Sequence, residues 1–173
     1  MMQIFMWLLL AFIILQRLVE LLIARRNEQW MRERGGIEIG SEHYKWFFIV
    51  HSCFFISILL EVSLQTNSVS ELNNYLFALF LLTQLARVWC IQSLGRFWNT
   101  KIIVLPNVAL VKRGPYKYIK HPNYVIVGVE LFVIPLLFGA YMTAVLFPLF
   151  HLILLKIRIP AEEKALKKVK MGK

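Results

Sequence analysis

The sequence predicts an all-α polytopic membrane protein of about five transmembrane helices, the last two forming a tight helical hairpin. Three observations carry that expectation. Of 173 residues 58% are hydrophobic, with a mean hydropathy of +0.61, and the apolar residues fall in long blocks with few charges. A bilayer-spanning helix needs roughly 20 such residues. The basic residues fall between the blocks on alternate turns of the chain. Finally, Pro122–Ile157 is apolar for 36 residues with Glu130 its only acid, too long for one span and interrupted at Pro135 and Gly139.

Five spans follow, near 3–24, 44–64, 72–94, 123–138 and 140–157, within one integral membrane domain over 1–173. Residues 1–94 hold three spans, and 95–173 hold a loop, the hairpin and a tail. Eighteen of the twenty basic residues lie in the segments 25–45 and 95–122 or from Lys156 onward. By the positive-inside rule that side is cytoplasmic, with the amino terminus outside and the carboxyl terminus inside a cell membrane. A net charge of +10 distributed this way is matched to anionic lipid head groups, not to nucleic acid.

Span one carries Gln16, Arg17 and Glu20 near its cytoplasmic end. Arg17 and Glu20, three apart, share a helix face and read as an interfacial ion pair. A charged amphipathic connector over 25–43 follows, broken at Gly35-Gly36, and Ser41 stands where a cap for span two is expected. His51 lies mid-span and reads first as a packing histidine; Glu61 lies near the outer end. Ser70 reads as the N-cap of span three. That span holds Arg87, deep enough to face the bundle interior, with Gln84 on the same face, and ends in Trp89, Phe97 and Trp98, an aromatic belt. In the loop over 99–122, "TKIIVLP" and "VALV" are short β-branched runs that read as extended segments at the membrane surface. Cys53 and Cys90 give neither a disulfide framework nor metal-ligand spacing, so no metal is expected. There is no aspartate and no Gly-x-Gly-x-x-Gly, which argues against a soluble dinucleotide fold.

The chemistry concentrates where the hairpin returns the chain to its starting side. "RGPYKYIKHPNY" (113–124) then meets Lys156, Arg158, Glu162 and Glu163. His121 precedes Pro122, which suits the first helical position, so the first turn at Asn123 and Tyr124 can offer N–H groups to an anion. Arg113-Gly114-Pro115-Tyr116 is a turn able to aim Tyr116 at the same point. Tyr116, Tyr118 and Tyr124 offer π faces to a cation such as a sulfonium. Arg158 and Glu162 share a face if the helix continues through Pro160; otherwise Pro160 opens a new helix with both glutamates in its first turn. The composite suits a zwitterionic cofactor from the cytosol and a lipophilic acceptor from the bilayer, but punctuation of loop and helix ends is an equally available reading.

The ordered set "VALVKRGPYKYIKHPNYVIVG", an apolar hairpin and "RIPAEEKAL", with "SLGRFWNT" before it, resembles the isoprenylcysteine carboxyl methyltransferase family, most strongly over about 95–166. The resemblance implies a membrane methyltransferase using S-adenosyl-L-methionine, and suggests a bacterial member. It implies cofactor binding by Val108, Ala109, Leu110, Val111, Tyr116, His121, Pro122, Asn123, Tyr124, Glu162 and Glu163, and a catalytic or acceptor-site role for Arg158, with His121 as a candidate base. An alternative register puts Lys156 in the arginine's role. The expected acceptor is a carboxylate or hydroxyl of a lipophilic molecule or lipid, prenylcysteine-like or an alkylated polyketide such as an alkylpyrone. Phospholipid N-methylation, an NADPH-dependent membrane reductase of related fold, and a non-catalytic membrane scaffold are the competing functions. The pattern fixes no oligomeric state.

Overall fold

The computed structural model describes residues 2–64, 72–106 and 108–171. Five helices, α1 (Met2–Arg32), α2 (Ser41–Leu64), α3 (Asn74–Leu94), α4 (Pro122–Leu137) and α5 (Tyr141–Met171), are joined at one end by a two-stranded ribbon of β1 (Ile37–Ile39) and β2 (Ile102–Val104). Helices α1, α2, α3 and α5 are long and apolar enough to cross a membrane. The fifth, α4, has 16 residues, about 24 Å at 1.5 Å per residue, and is shorter than a bilayer core of about 30 Å.

The first helix outruns its expected end. No glycine or proline occurs before Gly35, so α1 continues through most of the predicted connector as one helix of 31 residues. It stops in a Schellman motif, in which Gly36 N–H donates to Met31 O (2.8 Å) and Gly35 N–H to Arg32 O (3.1 Å), with Gly35 at φ 80. A Cβ on Gly36 would sit 2.7 Å from the Met31 carbonyl oxygen. The chain then enters β1, which pairs antiparallel with β2 in the register Ile37↔Val104, Glu38↔Ile103, Ile39↔Ile102. The first β-branched run of the long loop is thus a strand with a partner, whereas Val108–Val111 has no regular structure. Lys101 and Arg32 both bond Glu28 (2.7 and 2.9 Å), and Asn27 Nδ2 donates to Trp98 O (2.7 Å), fixing this end of α1 to the loop.

Helix α2 begins with Ser41 itself. Ser70, the expected cap of α3, lies outside the described residues; Asn73 caps α3, its Oδ1 accepting from Tyr75 N–H (3.0 Å) and Leu76 N–H (3.2 Å). The tight hairpin forms where it is expected, with three residues between its helices. Pro135 does not break α4 but sits in its last turn, where its carbonyl accepts from Ala140 N–H (2.8 Å). Gly139, at φ 71, makes the reversal, and α5 starts two residues later. Glu61 of α2 reaches the start of α5 and accepts from Met142 N–H (2.9 Å), Thr143 N–H (3.0 Å) and Thr143 Oγ1 (2.8 Å), a carboxylate at a helix amino terminus. Helix α5 runs unbroken through Pro148 and Pro160, so the question left open at Pro160 resolves to a single helix.

All five helices contribute to one core, with Leu10 and Ile13, Phe54 and Ile58, Phe80, Ile134, and Phe147 among its members. Large apolar side chains also cover the outward faces, including Leu8, Phe12, Leu82, Leu85, Leu149 and Leu152. A soluble protein does not leave this much apolar surface uncovered, and lipid is the medium that accepts it.

Candidate functional site

At the ribbon end of the bundle α4 and α5 bring two distant sequence clusters together. The spacing of seven and four residues puts His151, Arg158 and Glu162 on one face of α5. Tyr124, in the first turn of α4, donates its hydroxyl hydrogen to the Glu162 carboxylate and accepts from Arg158 Nε (2.8 Å). Arg158 also donates to the Thr100 carbonyl oxygen. Its guanidinium lies 4.7 Å from the Phe47 ring centroid and 5.7 Å from that of Tyr124, held between two π faces. His121 stacks on Tyr124 with centroids 5.4 Å apart and an interplanar angle of 16°. Its ring nitrogens lie 3.7 Å from Glu162 and 3.6 Å from Glu163, outside hydrogen-bond reach.

Gly114 positions Tyr116. It opens the 3-10 turn Gly114–Lys117 at φ 53, and a Cβ there would sit 2.0 Å from Ser93 Oγ, so only glycine lets this turn lie against α3. Burial, then Cys90, Glu162 and Tyr124 around it, hold the Tyr116 phenol well above its ordinary ionisation range, so it stays protonated.

Tyr116, His121, Tyr124, Arg158 and Glu162 line a cavity of about 380 Å³ that continues into the bundle. Its inner wall carries a closed ionic network. Arg17 donates to Glu20 (2.9 Å) and Glu130 (2.8 Å); Arg87 donates to Glu20 (2.8 and 2.6 Å) and Glu130 (2.9 Å); Gln84 donates to Glu130 (2.9 Å) and accepts from Gln16 (2.9 Å). Two arginines answer two carboxylates, which is what lets four charges lie together within the bundle. Arg87 therefore faces inward as expected, while the Arg17–Glu20 pair is not an interfacial pair but half of this network, because Arg87 and Glu130 reach it from α3 and α4.

The structure brings Tyr116, His121, Asn123, Tyr124, Arg158 and Glu162 to the cavity. It does not bring in Val108, Ala109, Leu110 and Val111, nor Pro122 or Glu163, among the lining residues. The segment before the turn pinned at Gly114 lies outside that lining, where Leu110 and Val111 border Leu94 and Phe97; Val108 and Leu110 are 40% and 38% exposed. Lys156 is likewise absent from the lining, whereas Arg158 is part of it. The Tyr124 N–H, expected to face an anion, bonds back to His121 O (3.2 Å). Trp98 leaves the aromatic belt and is buried in the cavity wall. His51 both packs and lines the cavity, its Nδ1 bonded to Phe47 O (2.8 Å).

Sequence reasoning missed His151, which is 2% exposed and faces His51 with ring centroids 6.3 Å apart. The signal was present: an ionisable residue inside an apolar helix, two turns before Arg158 on the same face. Among the described residues the buried side-chain polar atoms without a hydrogen-bond partner are Trp98 Nε1, His121 Nε2, Asn123 Oδ1 and His151 Nδ1, and all four residues line this cavity. Buried polar groups are normally paired, and four orphans on residues around one space are groups that a polar ligand could satisfy. No group of three or more histidine, cysteine or acidic residues able to hold a metal ion occurs among the described residues.

Comparison with known proteins bears on what that ligand is. The Bacillus subtilis protein YpbQ, described as uncharacterized, is 48% identical over 160 residues, covering 92% of this chain and 95% of its own. A Haemophilus influenzae protein, also described as uncharacterized, is 27% identical over 157 residues, covering 90% of this chain and 91% of its own. No solved structure gives a significant match. The family model for isoprenylcysteine carboxyl methyltransferases matches residues 76–168, the part that supplies α3, the pinned turn, the hairpin and the Tyr124–Arg158–Glu162 cluster, and with more than half of its length so matched the chain belongs to this family of membrane methyltransferases.

Proposed function

We propose that this protein uses S-adenosyl-L-methionine to methylate an oxygen of a lipophilic acceptor that reaches the cavity from the bilayer, with the cavity mouth on the cytoplasmic side of the cell membrane. The observation that carries this reading is a cavity lined at one end by the Tyr116, His121, Asn123, Tyr124 and Glu162 cluster and continuing among membrane helices.

The residues present fit such a cofactor. It is a zwitterion with a sulfonium, and the mouth offers a carboxylate at Glu162, the face of Tyr116, and three unpartnered polar atoms on Trp98, His121 and Asn123. The group supplies an electrophilic methyl. The chain's own part is alignment and charge placement. Arg158, clamped between Phe47 and Tyr124, holds a fixed positive charge between the mouth and the membrane part of the cavity. Tyr116, kept neutral by burial, can only donate or stack. The basic end supports a cytoplasmic mouth through the positive-inside rule.

The test is equilibrium binding of S-adenosyl-L-methionine and of NADPH to the protein purified in detergent. Saturable binding of the first and not the second is expected. His121→Ala and Glu162→Ala should each weaken it roughly tenfold or more, the order of one lost charge-assisted hydrogen bond. Saturable NADPH binding with none of S-adenosyl-L-methionine would overturn the reading.

A further inference from the structure

Among the described residues, Arg158 is a buried cation without a carboxylate partner. It is 8% exposed, and its two hydrogen bonds go to neutral oxygens, Nε to the Tyr124 hydroxyl (2.8 Å) and Nη2 to the Thr100 carbonyl. Glu162 is reached through the Tyr124 hydroxyl, which donates to it and accepts from Nε. Nη1 bonds nothing among the described residues, and it is not one of the four enclosed orphans. That edge therefore keeps accessible surface, in a residue that lines the cavity. A buried guanidinium that no carboxylate answers needs another compensating group. Two rings supply it, and Phe47 is the nearer: the Arg158 Cζ lies 4.7 Å from its centroid, against 5.7 Å for Tyr124.

Phe47, in the second turn of α2, is itself held from two sides. Its ring stacks on that of His51, with centroids 6.5 Å apart and an interplanar angle of 24°, and meets His151 edge-on at 6.5 Å and 88°. His51 Nδ1 lies 2.8 Å from the Phe47 carbonyl oxygen; a carbonyl can only accept, so that nitrogen carries the hydrogen and the imidazole is fixed one turn along from the Phe47 ring. His151 Nε2 bonds the Tyr124 carbonyl oxygen in the same way (3.2 Å). The two rings that flank the guanidinium are thus tied to two imidazoles that face each other at 6.3 Å. A guanidinium is planar: it donates from its edges and stacks on its faces, so a ring laid against the face sets where the edges point. Tyr124 and Thr100 lie in the stretch that the family model matches, 76–168, whereas Phe47 and His51 lie outside it.

We propose that Phe47 is a positioning residue, which holds the plane of Arg158 so that the unbonded Nη1 edge is presented to the cavity; its part in the reaction rests on the methyltransferase reading above. Helix α2 is then a wall of the site as well as a membrane span. Phe47 makes and breaks no bond and acts through Arg158. A leucine at 47 fills similar space without a π face, so the guanidinium is free to turn, while a tyrosine keeps the face. A lysine at 158 is a point charge with no plane to hold, and beside it the ring at 47 should cease to matter.

Two measurements on the detergent-purified protein test this. The first is nuclear magnetic resonance of protein isotopically labelled at arginine nitrogen, in which the Arg158 Nε–H signal is identified by its loss in Arg158→Lys. That signal should move downfield in Phe47→Leu, as the ring current is removed, and stay near its place in Phe47→Tyr. The second uses two probes with one tail, a para-alkylbenzoate and the para-alkylbenzyl alcohol, an anionic and a neutral head for the open edge. The wild type should bind the anion roughly tenfold more tightly, the order of one charge-assisted hydrogen bond. Phe47→Leu should lose most of that preference, and Phe47→Tyr should keep it. Phe47→Leu added to Arg158→Lys should change it no further, because the two act as one unit. Phe47→Met serves if the leucine variant does not fold. An unmoved signal in the apolar variant, no preference for the anion in the wild type, or losses at 47 and 158 that simply add would each overturn the proposal. S-adenosyl-L-methionine binding, measured on the same samples, separates the two levels: if it is present in the wild type, those failures belong to Phe47 alone, and if it is absent the methyltransferase reading itself has failed.

Discussion

Replacing Arg87 by glutamine tests whether the ionic network holds the bundle together. Arg87 closes three hydrogen bonds of 2.6–2.9 Å to Glu20 and Glu130, and with it the four charged groups sum to zero. Arg87→Gln leaves one arginine for two carboxylates, a net charge of −1 within the bundle. Leaving an uncompensated buried charge costs about 3–5 kcal/mol. At about 2–4 °C per kcal/mol for a chain of this size, the unfolding midpoint should fall by roughly 6–20 °C. The double variant Arg87→Gln/Glu20→Gln restores neutrality, because the Arg17–Glu130 pair at 2.8 Å remains. It should therefore unfold at a higher temperature than Arg87→Gln alone, with a coupling of about 1–3 kcal/mol between the two positions. Thermal unfolding in detergent, followed by near-ultraviolet circular dichroism, reads all four corners of the cycle. If the double variant loses as much as the two single variants added together, charge balance is not what the network contributes, and the reasoning is wrong.

Three further outcomes follow from the geometry. Gly114→Ala combines a positive φ with a Cβ placed 2.0 Å from Ser93 Oγ, so it should lower stability by more than about 1 kcal/mol, whereas Gly95→Ala, with open space around its Cβ, should show only the conformational part; denaturant midpoints compare them. Tyr116 keeps its proton when folded and loses it near its ordinary range when unfolded, so its contribution is present below about pH 10 and lost as pH rises beyond it; the midpoint gap between the wild type and Tyr116→Phe should shrink from about pH 9 to pH 11, and a constant gap would contradict the buried, protonated phenol. A reporter fused after Lys173 should read cytoplasmic, and a signal from the opposite side would overturn the orientation argued from the basic segments.

Much of the helical order was visible along the chain because a bilayer imposes a length and a polarity on each segment, and those are one-dimensional properties. Breaks were read less well than spans. Gly35 and Gly139 ended helices as glycine should, since each adopts a positive φ. Pro135, Pro148 and Pro160 ended none, because packing against neighbouring helices outweighs one lost backbone bond inside a membrane bundle. The inward face of Arg87 was legible from its depth, but its partners were not. Helical periodicity says which residues share a face and nothing about which faces meet, so Glu20 and Glu130 could not be joined to it. The same gap hid the strand partner of Ile102–Val104, some sixty-five residues earlier in the chain. Carrying Val108–Val111 into the site assumed that neighbours in sequence stay neighbours at the cavity, and the turn held at Gly114 separates them.

By itself the sequence determined the medium, the number of helices, the basic end and the convergence of the 113–124 segment with Arg158 and Glu162, because composition, spacing and a single hairpin reversal suffice for each. Only the tertiary structure decided that this cluster opens into a cavity reaching the depth of the membrane, that two glutamates and two arginines seal its wall, and that four buried polar atoms of its lining residues, His151 Nδ1 among them, have no hydrogen-bond partner. Those facts depend on three or more helices meeting at once, and desolvated charge and hydrogen-bond tautomer are set by what surrounds a residue and not by its position along the chain.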